Sequence, residues 1–166
     1  MFVDMVAAYE GLAARMRQRI DGLMVGHLYG AGRLREDEMG SSPLINNDQV
    51  HRVPTAFHPL VMPHPITGRK ALYAVAHTAY RIKAMADRHA QLLLDELKEH
   101  VLQKKYIYEH RHKVGDIAIY ATLATMHSAK PIDVVAGPDT ARLLWRISVR
   151  GRPKGLVYQD RRNQHF

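Results

Sequence analysis

One histidine and two arginines near the end of the chain have side chains that could bind a metal ion and an anion. His127 lies in an alternating stretch that follows a Gly-Asp turn, while Arg142 and Arg146 are four residues apart in a second stretch. In a strand, residues i and i+4 project to the same side, so both guanidinium groups could face one cavity. The simplest functional interpretation is a metal ligand beside an anion clamp.

Residue type alone does not single out His127, because the chain contains eleven histidines. A lone histidine on a strand is more often a hydrogen-bonded core residue than a metal ligand. His110 and His112 form a His-x-His pair whose side chains would share a strand face, the spacing found in cupin-like metal sites. Both interpretations of these histidines therefore stay open at the level of residue type.

The composition is that of a cytoplasmic globular protein with one domain over residues 1–166. The chain has 166 residues and 46% hydrophobic content, with neither a long apolar run nor a secretory leader pattern. No membrane association is therefore expected. It has no cysteine, which excludes disulfides and thiolate metal sites. Histidine, aspartate and glutamate remain as the good metal ligands.

The formal net charge of +8 raises the possibility of nucleic-acid binding. The basic residues are scattered, however, apart from a small cluster that runs into a basic tail over residues 154–166. Since no basic stripe with interleaved aromatic residues is present, nucleic acid is not the expected partner. An enzyme whose substrate and cosubstrate are both anions would also gain from a positive field.

The N-terminal third combines a helical pattern with a long polar stretch. Apolar residues recur every three or four positions over residues 4–25, which predicts one amphipathic helix with Asp4 as its N-cap. Residues 26–53 are rich in glycine, serine and asparagine and show no stable period. A loop of that length predicts a lid or a mobile segment.

The remainder of the chain predicts strands around a second helix. Two apolar runs, residues 57–63 and 70–75, are joined by a Pro- and Gly-containing turn and predict a hairpin. Residues 86–105 predict a helix with an apolar face formed by Leu92, Leu93, Leu97, Val101 and Leu102. Strands are predicted over residues 106–112, 117–121, 123–128 and 143–149. The expected class is mainly β with helices (α+β), as a sandwich or barrel.

Five segments resemble, in order, the TauD/TfdA family of iron(II)- and 2-oxoglutarate-dependent dioxygenases. They are DMVAAYEGL (residues 4–12), HPLVMPHPITGRKALY (58–73), YIYEHRHKVGDIAIY (106–120), TMHSA (125–129) and RLLWRISVRG (142–151). The resemblance implies the C-terminal portion of a jelly-roll, cupin-like fold, here a partial double-stranded β-helix with two packed helices. It further implies oxidation of a small, anionic substrate while 2-oxoglutarate is decarboxylated to succinate.

The resemblance also implies roles for individual residues. His127 corresponds to the family's distal iron ligand, and Arg142 to the arginine that binds 2-oxoglutarate. Arg146 matches a second arginine that faces an anionic substrate group, although a competing alignment assigns it to the cosubstrate. Thr125 would support the same pocket. His110 and His112 fall where related sequences carry strand residues, often aromatic, and are interpreted as structural.

The family's remaining two iron ligands come from a His-x-Asp/Glu motif. No Asp or Glu of this chain has a histidine two residues before it, so the iron site is expected to be incomplete and the chain inactive alone. The family's Trp-Asp-Asn-Arg is here Tyr120-Ala121-Thr122-Leu123. The alternative is a non-catalytic remnant that binds a carboxylate or acts as an interaction module. Exposed sheet edges in a shortened barrel would favour homo-oligomers.

Overall fold

The computed structural model of the chain describes residues 1–27, 55–73, 75, 78–128 and 145–149. Its strands are β1 Phe2–Asp4, β2 Met24–His27, β3 Ala56–Pro59, β4 Val61–Pro63, β5 Lys70–Leu72, β6 Ala79–Ile82, β7 Ile107–Tyr108 and β8 Thr125–His127. Its helices are α1 Met5–Glu10, α2 Ala14–Ile20 and α3 Asp87–Val101, followed by a 3₁₀ turn, Lys104–Tyr106.

The strands form three small antiparallel sheets in the orders β7–β1–β8, β3–β2–β6 and β4–β5. This confirms the predicted mixture of antiparallel β-structure and helices. The closure of these strands into a double-stranded β-helix stays a prediction, because the described strands make three separate sheets. No helix of the described ranges has the length and apolar character needed to cross a membrane.

The predicted single helix over residues 4–25 is wrong, because the chain forms two short helices and then a strand. α1 ends at Glu10 and is capped by Gly11, where any side-chain carbon would overlap the hydroxyl of Tyr106. Ala13 then takes an extended conformation before α2 begins. Gly22 has φ +73°, a value that L-residues rarely adopt, and it turns the chain from α2 into β2.

The apolar stripe that suggested the helix is nevertheless buried. Met5, Ala8, Leu12 and Ile20 all belong to the core, since the break at Gly11 leaves the same face inward. Gly26 and His27 lie in β2, so the predicted loop over residues 26–53 does not include them. The rest of that loop, and the basic tail over residues 154–166, lie outside the described residues.

The hairpin is confirmed: β4 pairs with β5, and Gly68 at φ +69° makes the turn. The first of the two apolar runs is divided at Leu60 into two strands, β3 and β4, because β3 pairs with β2 and not with the hairpin.

α3 confirms the second predicted helix, but its buried face is Ala90, Leu93, Leu94, Leu97 and Val101. The predicted face was wrong at Leu92 and Leu102, which are 60% and 39% exposed.

The strands predicted after α3 are shorter and fewer than expected. β7 and β8 contain two and three residues, and the described residues 109–121 and 145–149 form no strand. Gly115 takes φ +90° in the Gly-Asp turn. Without regular pairing, alternation alone did not make these segments strands.

Candidate functional site

His127 is placed by the pairing of β8 with the N-terminal strand. Phe2 lies opposite His127, Val3 opposite Met126 and Asp4 opposite Thr125. Val3 is fully buried, so this register is fixed by the core. The backbone N–H of Met5 donates to the carbonyl of Ala124 at 3.0 Å, which ties the start of α1 to the same segment.

Two aromatic rings flank the imidazole of His127. The ring centroid of Tyr120 is 5.0 Å from that of His127, and the Phe2 centroid is 6.4 Å away. Phe2 and Tyr120 also contact each other, with centroids 4.9 Å apart. His127 itself is exposed. The imidazole is therefore held against rings on one side and open to solvent on another.

Thr125 is partly buried two residues before His127. Its hydroxyl donates to the backbone carbonyl of Ala121 at 2.9 Å, so the donor is used to close the turn before β8. Arg146 is exposed, together with the neighbouring Trp145. Arg142 lies outside the described residues, and the predicted convergence of the arginines on His127 stays a prediction.

The residues around His127 do not by themselves form an iron site. Among the described residues, one group of three could place His, Cys, Asp or Glu ligand atoms around a single ion, and His127 is not in it. One exposed imidazole cannot hold iron(II), which the facial-triad geometry binds with two histidines and a carboxylate. A metal ion held by His127 would need further ligands from outside the described residues.

The group of three consists of His110, His112 and Asp116, whose ligand atoms lie within 4.8 Å of one another. His110 Nε2 is 3.0 Å from Asp116 Oδ2, and the rings of His110 and His112 are 4.5 Å apart at 84°. The sequence interpretation treated both histidines as structural and did not include Asp116. The sequence signal that could have identified this group was the His-x-His spacing followed by a Gly-Asp turn. That turn brings the Asp116 carboxylate back to the two histidines.

Asp116 supplies the one carboxylate of this group. The backbone N–H of Lys113, which donates to its Oδ2 at 2.8 Å, lowers the pKa of the Asp116 carboxyl below its ordinary value. The hydrogen bond from His110 and the charges of His110 and His112 lower that pKa further. Asp116 is therefore ionised at neutral pH and available as an anionic ligand.

A second histidine pair lies in the sheet formed by β3, β2 and β6. His27 Nδ1 is 2.9 Å from Thr78 Oγ1, and its Nε2 is buried with no hydrogen-bond partner among the described residues. The ring of His58 packs edge-on at 5.5 Å. Burial, and next the charge of His58, lower the pKa of His27 from 6.5 to about 4. His27 is consequently neutral at physiological pH.

The chain is similar to known proteins in both sequence and structure. Residues 1–148 match the family model described as "Taurine catabolism dioxygenase TauD, TfdA family". The chain is 31% identical over 158 residues to an alpha-ketoglutarate-dependent 2,4-dichlorophenoxyacetate dioxygenase of Burkholderia sp. (strain RASC), covering 91% of this chain and 51% of that protein. It is 29% identical over 154 residues to the (S)-phenoxypropionate/alpha-ketoglutarate-dioxygenase of Sphingobium herbicidovorans, covering 92% and 52%.

The structural comparison agrees with these matches. The crystal structure of AAD-2 in complex with Mn(II) and N-oxalylglycine superposes with a TM-score of 0.63 at 28% identity, covering 75% of this chain and 47% of that one. The chain thus spans about half the length of the curated relatives it matches. Since those relatives are dioxygenases by name, the alternative of a non-catalytic remnant that acts as a carboxylate-binding or interaction module is not favoured.

Proposed function

Because the chain belongs to the TauD/TfdA family of dioxygenases, we propose that it provides the cosubstrate-binding part of a 2-oxoglutarate-dependent dioxygenase. The observation that carries this proposal is the family match over residues 1–148, which includes His127 and both arginines. We also propose that the complete dioxygenase fold, to which this chain contributes, is a jelly roll. Iron(II) is the proposed metal, and when bound it supplies the oxidising chemistry while the protein binds and orients the reactants.

His127 is the proposed metal ligand of this part of the site. Its exposure leaves the imidazole accessible to an ion that is also held by ligands outside the described residues. Contact with Phe2 and Tyr120 narrows the range of orientations open to the ring. A ligand whose orientation is fixed before the ion arrives loses less conformational entropy on binding.

Arg142 and Arg146 are the proposed partners of anionic groups. A guanidinium can form two parallel hydrogen bonds with one carboxylate, and 2-oxoglutarate carries two carboxylates. Arg142 is assigned to the cosubstrate, and Arg146 to the substrate or, in the competing alignment, to the cosubstrate. Thr125 supports the same pocket through the turn that it closes.

The proposed substrate is a small carboxylate. The two relatives described above are named for 2,4-dichlorophenoxyacetate and (S)-phenoxypropionate, which are both aryloxy carboxylates. The net charge of +8 favours the approach of such an anion and of 2-oxoglutarate. Oxidation of the substrate would accompany decarboxylation of 2-oxoglutarate to succinate.

Calorimetric titration of the chain with 2-oxoglutarate tests the binding part of this proposal. We expect Arg142→Ala to weaken binding at least about tenfold, the loss of one charge-assisted pair. Arg88→Ala removes an exposed arginine of α3 and should leave the affinity unchanged. Equal effects of the two substitutions would contradict a specific site at Arg142.

Succinate formation tests the completeness of the site. With iron(II), 2-oxoglutarate and an aryloxy carboxylate, the chain alone should produce no succinate above a protein-free control, because the His-x-Asp/Glu motif is absent from its sequence. If the chain does form succinate and His127→Ala abolishes this turnover, the role of His127 would be confirmed and the predicted inactivity contradicted. Turnover that survives His127→Ala would contradict the assignment of that ligand.

A further inference from the structure

The geometry points to a second metal site, formed by His110, His112 and Asp116, for a divalent first-row transition ion of the Zn²⁺ class. This site shares no residue with the proposed cosubstrate-binding part around His127. Two imidazoles and one carboxylate suit Zn²⁺, Co²⁺, Ni²⁺ or Cu²⁺ better than Mg²⁺ or Ca²⁺, which prefer all-oxygen ligands. Three protein ligands leave a coordination position for water.

The three side chains already converge. His110 Nε2 and Asp116 Oδ2 are 3.0 Å apart, and all three ligand atoms lie within 4.8 Å of one another. Ligand atoms around a tetrahedral ion with bonds of about 2.1 Å are about 3.4 Å apart. His112 therefore has to approach by at most about 1.4 Å, a shift open to an exposed side chain.

The carboxylate and one imidazole are held in place by neighbouring groups. The backbone N–H of Lys113 donates to Asp116 Oδ2 at 2.8 Å, and Gly115 at φ +90° makes the turn that brings Asp116 back to the histidines. Tyr108 Oη lies 3.2 Å from His110 Nδ1. Such outer partners fix ring orientation and tautomer in metal sites.

Tyr108 also gives His110 Nδ1 a hydrogen-bond partner. Tyr108 Oη is 3.2 Å from Nδ1, and Nε2 on the other side of the ring is 3.0 Å from Asp116 Oδ2. When an ion takes the Nε2 lone pair, the ring proton lies on Nδ1 and the Tyr108 oxygen accepts it.

This site can be tested by titrating the tag-free full chain with Zn²⁺. A parallel titration with Co²⁺ can be monitored by the visible absorption of the bound ion. We expect one equivalent to bind, with His112→Ala and Asp116→Asn each weakening the affinity at least about tenfold. His89→Ala removes an exposed histidine of α3 and is the matched control. His89→Ala should bind as the unaltered chain does, and His127→Ala tests whether the bound equivalent lies instead at the proposed iron ligand.

Tyr108→Phe tests the positioning role, because it keeps the ring and removes the hydroxyl. We expect it to weaken Zn²⁺ binding by about tenfold or more and to change the Co²⁺ spectrum, while far-UV circular dichroism stays unchanged. The site is overturned if His112→Ala binds Zn²⁺ as tightly as the unaltered chain, or if His127→Ala removes the bound equivalent. Absence of stoichiometric binding by the unaltered chain at about 100 μM Zn²⁺ would also overturn it.

Discussion

Phe2 on β1 lies directly opposite His127 on β8, with ring centroids 6.4 Å apart. Tyr120 joins the two, at 4.9 Å from Phe2 and 5.0 Å from His127. Because cross-strand partners face the same side of a sheet, the N-terminal strand sets the orientation of the proposed metal ligand. The position of His127 thus depends on residues more than 120 positions away in the sequence.

A double-mutant cycle of Phe2→Leu and Tyr120→Leu should reveal this ring cluster. Each substitution is expected to lower the free energy of unfolding by about 0.5–1.5 kcal/mol, and the two effects should not add, because either change removes the same contact. Urea unfolding gives the energies, and the NMR signals of the His127 imidazole should shift in both variants. Ile66→Ala, at a turn residue that is 82% exposed, is the control. Additive energies with an unshifted His127 would contradict the cluster.

Gly11→Ala should destabilise the protein by about 1–3 kcal/mol, as overpacking of a core does. An added methyl group at Gly11 would overlap the hydroxyl of Tyr106, which is buried and without a hydrogen-bond partner among the described residues. Tyr106→Phe alone should be close to neutral, since it removes an unsatisfied hydroxyl. In the double variant part of the lost stability should return. No recovery in thermal unfolding would mean that Gly11 is required for another reason.

Asp4→Ala should cost about 1 kcal/mol, the usual value of an N-cap. The Asp4 side chain accepts the backbone N–H groups of Val6 and Ala7 at 3.0 and 2.9 Å. Asp4→Asn keeps an acceptor and should retain most of the stability, which urea unfolding can measure. Equal losses in both variants would indicate that charge, and not the cap, stabilises this end of α1.

The sequence predicted which residues of the first segment are buried but not the shape of its backbone. The spacing of Met5, Ala8 and Leu12 reflects one inward face, and a continuous helix is the simplest backbone with that periodicity. The break comes at Gly11, a residue type that often ends helices. Tyr106 packs against this glycine, and that contact joins residues far apart in the sequence, so no local pattern could have shown it.

The candidate sites were likewise predictable from the sequence only in part. His127 was identified by its place in a resembling motif, and its pairing with Phe2 required the register of two strands. Asp116 was missed because its closeness to His110 depends on the positive φ of Gly115. A Gly-Asp dipeptide predicts a turn, but the direction in which that turn sends the carboxylate is a property of the three-dimensional fold.

Acidification should destabilise the protein through His27. Burial and His58 lower the pKa of His27 in the folded state to about 4, below its ordinary value of 6.5, so the unfolded state binds more protons between these two pH values. Stability should therefore fall as the pH drops from about 6.5 to about 4, by on the order of 1–2 kcal/mol once solvent screening is included. His27→Gln, which keeps a partner for Thr78, should flatten this part of the profile, whereas His89→Gln at an exposed site should not. Urea unfolding across this pH range measures the slope, and an unchanged slope in His27→Gln would show that another group is responsible.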